Sequence, residues 1–94
     1  MALSHERIDG IAALANRLFA EGGRLDDVAR AVRAANTDLK TVTTAHASVM
    51  AEDPFREEAG FDLHLVDGNN HCWVITDKPE LATGVVIAQR DAED

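Results

Sequence analysis

Tyrosine is absent from this 94-residue chain, and cysteine and tryptophan occur once each. One cysteine cannot close an intrachain disulfide, and thiolate zinc sites need several, so a disulfide-stapled scaffold and a Cys-based zinc fold are excluded. Basic residues are scarce: nine Lys+Arg stand against 17 Asp+Glu, a formal net charge of −8. The longest uncharged run, 41–51, falls well short of the ~20 residues a membrane-spanning helix needs. No basic segment leads into an apolar stretch at the start, as a secretory leader would require. The expectation is a cytoplasmic protein without cofactor or metal, folded as a single domain over 1–90 with an acidic, frayed tail at 91–94.

The charge is unevenly placed. Residues 1–50 carry six acids and six bases, whereas 51–94 carry eleven acids and three bases. The second half therefore repels phosphate backbones, and nucleic-acid binding loses its main source of affinity. An acidic surface keeps a small protein soluble, or meets a basic partner.

Helical signals dominate the first half. Ser4 is a cap, Leu3 and Ile8 fit a hydrophobic staple, and Ile8, Ile11, Ala12, Ala15, Leu18 and Phe19 recur at helical spacing. Gly22-Gly23 stops this helix, predicted over 5–21. A second amphipathic stretch follows, capped by Asp26 or Asp27, with Leu25, Val28, Ala31, Val32 and Ala35 on one face and Asp26 and Arg30 paired on the other. A short connection makes the two an antiparallel hairpin. Leu39, Val42, His46, Val49 and Met50 fit a third helical face, although Val42-Thr43-Thr44 also suits a strand. Helix is the preferred reading there. Residues 52–60 read as an acidic connection.

Alternation begins at Phe61. Phe61, Leu63 and Leu65 share one strand face, and Asp67-Gly68-Asn69-Asn70 is turn chemistry leading into a second alternating run, 71–76. A three-residue loop places Trp73 and Ile75 beside Phe61, Leu63 and Leu65. A two-residue loop places Cys72 and Val74 there instead. The first is preferred because it buries more apolar volume. Asp77-Lys78-Pro79-Glu80 is a capped turn, and Gly84 to Ala88 is a third strand. The expected fold is α+β: a helical hairpin and a third helix on a three-stranded antiparallel sheet. Val85-Val86-Ile87, read as an apolar edge strand, favours a homodimer.

Two groups of residues are candidate sites. Glu52, Asp53, Glu57, Glu58, Asp62 and Asp67 form a carboxylate surface that would steer a basic protein, with Trp73 as apolar anchor. Alternatively His46, His64, Cys72 and Trp73 line a pocket between helices and sheet for a small molecule or small enzyme. Cys72 and His64 lie near-diagonal across the hairpin, the ingredient of an activated thiolate, yet net acidity opposes a low thiol pKa. His71 and Cys72 are adjacent in a strand and point apart, so they do not grip one metal ion. Glu57-Glu58 and Glu52-Asp53 sit in a short acidic linker without a domain large enough for a sugar cleft and read as solvated. The weight falls on a non-enzymatic regulatory or adaptor protein of the immunity, antitoxin or inhibitor type, homodimeric, with a basic protein partner and no nucleic acid or membrane.

Overall fold

A computed structural model describes residues 3–50, 53–58, 60–68 and 74–90. Ser4 sets where the first helix, α1 (His5–Ala20), begins: its extended backbone turns the side chain to accept a bond from the Arg7 amide at 3.1 Å. Leu3 and Ile8, the two halves of the staple, are both buried. Ile8, Ile11, Ala12 and Ala15 form the buried stripe of α1. The helix ends where Gly22 takes a φ of 88° and the Gly23 amide returns to the Leu18 carbonyl at 2.8 Å. That positive φ suits a residue without a Cβ.

The second helix, α2 (Leu25–Ala35), starts earlier than its acids suggest. Arg24 occupies the cap position and its side chain makes no capping bond. Asp26 and Asp27 fall within the first turn instead, where they complement the helix dipole. Val28, Ala29 and Val32 are buried, and Asn36 ends the helix. The expected Asp26–Arg30 pair is replaced by Arg30 and Asp27, 3.6 Å apart and exposed.

Residues 39–51 correct the expectation of a third helix. Thr41–His46 is a strand, β1, followed by a single 3-10 turn at Ala47–Val49. The β-branched run Val42-Thr43-Thr44 outweighs the helical spacing of its apolar neighbours, because a parallel partner is present. That partner is β5 (Gly84–Gln89), with Thr41 opposite Gly84 and His46 opposite Gln89. The remaining strands are β2 (Arg56–Glu57), β3 (Phe61–Asp67) and β4 (Val74–Thr76). The sheet is therefore mixed and five-stranded, in the order β1-β5-β3-β2 with β4 also on β3. The α+β class holds; a three-stranded antiparallel sheet does not.

The topology also moves β5 from the edge to the centre, between β1 and β3. Its apolar run is continuous because both faces are covered. Val85 and Ile87 join Val42, Phe61, Leu63 and Leu65 in the core against the helices. Val86 and Ala88, with His64 and Val66 of β3, are buried on the opposite face. Burial of each large apolar side chain contributes ~1.5–3 kcal/mol. Dimerisation through Val85-Val86-Ile87 is thus excluded by position.

The pairing of β4 with β3 differs from the preferred register. Leu65 faces Thr76, Val66 faces Ile75 and Asp67 faces Val74. Ile75 consequently shares a face with Val66, not with Leu63 and Leu65, and Val74 is 53% exposed. The preferred register fails on Ile75, and Val74 takes the Leu65 face that the alternative register gave it, while Cys72 and Trp73 lie outside the described residues. Residues 79–81 form a 3-10 turn starting at Pro79, whose carbonyl receives the Leu3 amide at 2.9 Å.

Long-range polar contacts fasten α1 to the sheet's approach segment. Arg7 donates two bonds to the Asp38 carboxylate, at 2.7 and 2.8 Å, and one to the Asn36 side-chain oxygen at 3.0 Å. Asn36 in turn donates to the Val32 carbonyl, closing the link to α2. The bond from Arg7 holds the Asp38 carboxyl below its ordinary pKa.

Two outcomes follow from this packing. A Cβ on Gly84 would lie 2.1 Å from the Thr41 backbone oxygen, so Gly84→Ala is expected to cost at least the ~1–3 kcal/mol of overpacking; an unchanged urea midpoint would refute the tight β1–β5 approach. Because the Asp38 pKa is depressed in the folded state, its stabilisation is present above the unfolded pKa of about 3.9 and is lost as pH falls through the folded value. Urea midpoints of the native chain and Asp38→Asn should therefore differ at neutral pH and converge in acid.

Candidate binding surface

The acids of the second half do not form one free surface. Glu58 is anchored: Asn16 of α1 donates to one oxygen at 2.8 Å, and Arg56 Nε donates to the other at 2.9 Å. It is half-buried, against the expectation of a solvated pair with Glu57. Arg56 also reaches across to Asp9 of α1. The bond to Asp9 raises the Arg56 guanidinium above its ordinary pKa, and Glu58 adds to this while burial opposes it. Asp62, opposite Glu57 on the neighbouring strand, is paired with Arg90. Asp53 and Glu57 are exposed. Asp67 is half-buried at the far end of β3, beside the turn.

Around β2 the arrangement brings together four carboxylates, those of Asp9, Glu57, Glu58 and Asp62, with two guanidiniums, Arg56 and Arg90. The sequence points to three of these acids. It misses Asp9, which sits in the electrically balanced first half and joins the patch only because α1 crosses this side of the sheet. Glu52 and the proposed anchor Trp73 lie outside the described residues.

The histidines of the alternative pocket are separated. His46, expected on a helix face, is exposed at the end of β1, opposite Gln89. His64, expected to line a pocket between helices and sheet, is 1% exposed on the sheet face away from the helices, opposite Val86. Cys72, like His71, lies outside the described residues. The layer between helices and sheet is filled by Phe61, Leu63, Leu65, Val85 and Ile87 from below and by Ile8, Ile11, Val28 and Val32 from above. Among the described residues no group of three or more His, Cys, Asp and Glu side chains is placed to hold a metal ion. Nor is any described helix long and apolar enough to cross a membrane.

A second feature was not singled out from sequence. A groove of about 270 Å³ runs beside the outer strand β1, between Asp26, Ala29, Arg30 and Arg33 of α2 and Val42, Thr43 and Thr44. Arg33 closes part of it by donating to the Val42 carbonyl at 2.5 Å. The signal was the β-branched run, which marks a strand but not its place in a sheet. The chain matches no protein-family model, and no curated protein or solved structure matches it.

Proposed function

We propose that this chain is a small acidic, non-enzymatic regulatory or adaptor protein that acts by binding another protein, in the manner of immunity proteins, antitoxins and inhibitors. The observation that carries this reading is the patch around β2, where four carboxylates meet two guanidiniums. Fixed charge of one sign steers a basic partner and speeds its approach, an effect that salt screens. The internal pairs of Arg56 and Arg90 hold Glu58 and Asp62 in place, so docking does not have to order them. Glu57 in the patch, and Asp53 three residues before β2 in the chain, are left as the accessible contacts. The filled layer between helices and sheet supports a role at the surface.

The test is zero-length carbodiimide cross-linking of the intact chain in lysate of its own host. Adducts between Asp53 or Glu57 and lysines of one partner are expected, and added salt should suppress them. The double variant Asp53→Asn/Glu57→Gln should keep its circular dichroism and lose most of the adduct. Adducts scattered over all surface carboxylates, or unaffected by salt and by the double substitution, would overturn the proposal.

A further inference from the structure

We infer that β1 is the pairing edge for a second copy of this chain: two β1 strands meet antiparallel about a twofold axis and join two sheets into one. The two edges of the sheet are built differently. Beyond β3 the edge is broken into β2, with two residues, and β4, with three, and β2 carries the charges of Arg56 and Glu57. Short, charged strands are how proteins keep a sheet edge from recruiting another. The β1 edge has neither protection. It runs six residues, Thr41 to His46, without a Lys, Arg, Asp, Glu or Pro. Thr41, Thr43, Thr44 and Ala45 are only half-buried. The Arg33 guanidinium covers one carbonyl, that of Val42.

Charge selects the occupant. Residues 24–46, which include α2 and β1, hold four bases and three acids, while the remainder holds five bases and fourteen acids. Two copies of a chain this acidic repel least where this segment faces its own image. The helix beside the edge is self-complementary as well. Along the groove α2 presents Asp26, Ala29, Arg30 and Arg33, acid at its start and base at its end. A twofold axis sets the two α2 helices antiparallel, which turns the Asp26 end of each toward the Arg30 and Arg33 end of the other. The edge strand then gains main-chain hydrogen bonds by strand addition, and the groove is filled by the second copy.

This inference does not depend on the acidic patch, which lies on β2 at the other side of the sheet. The experiment combines sedimentation equilibrium with hydrogen–deuterium exchange of the full chain as its concentration is raised. A dimer is expected whose concentration-dependent protection centres on 41–46. Thr43→Lys should raise the dimer dissociation constant at least tenfold by placing like charges in the joined edge. Asp26→Arg, an exposed change that leaves the strand untouched, should weaken association in the same direction. A monomer at every concentration overturns the inference. So does a dimer protected at β2 or β4, a dimer unaffected by both substitutions, or a β1 that becomes protected only when a different protein binds.

Discussion

Where β1 lies against β5, backbone groups from two distant parts of the chain pair in parallel, and the other elements are arranged around that pairing. A parallel pair cannot be closed by a tight hairpin, so the intervening chain must cross over before returning. Here the crossover contains the whole β2–β3–β4 unit. Once β5 has β1 on one side and β3 on the other, both of its faces need cover, and its run of Val85, Val86, Ile87 and Ala88 is buried throughout. The approach is close enough at Thr41 that the opposing residue has no room for a Cβ. Gly84 is thus a requirement of packing at this point.

Charge serves the same arrangement. On α1, Arg7 reaches the segment leading into β1 while Asp9 reaches β2. These two residues tie one helix to opposite sides of the sheet. Exposed pairs of this kind contribute little to stability one by one. Their value lies in orientation: Arg7 grips Asp38 with two bonds and Asn36 with a third, so the turn before β1 has a defined geometry. At the other end, Arg56 between Asp9 and Glu58 fixes the short strand that carries Glu57 outward.

Local rules explain what could be read from the residues and what could not. The start of α1 was legible in Ser4 and its stop in Gly22-Gly23, since caps depend on a few neighbouring atoms. Phe61 to Asp67 was legible as a strand by alternation, although His64 shows that alternation of polarity does not imply solvent on the polar side. The helix expected over 39–51 failed because Leu39, Val42, His46 and Val49 satisfy a helical period by coincidence. The deciding interaction, β5, lies some forty positions further along. For the same reason Val85-Val86-Ile87 was legible as a strand and illegible as a central one. The acidic patch was partly legible, since Glu57, Glu58 and Asp62 are close in sequence. Asp9 was not, because only tertiary structure delivers it.

The asymmetry of the two edges bears on how such a small domain can act. Domains near this size bury only about 60–65% of the surface of the unfolded chain, so self-association is a direct way to gain stability. The long, uncharged β1 is suited to that task, and the short, charged β2 is unsuited to it. If each edge takes the role its composition favours, the joined molecule carries its acidic patches at its two outer ends, facing away from one another. Repulsion between copies is then smallest at the seam, and the excess negative charge is concentrated where a basic partner would meet it. The net charge of −8, which opposes association through any other side of the molecule, in this arrangement directs both contacts.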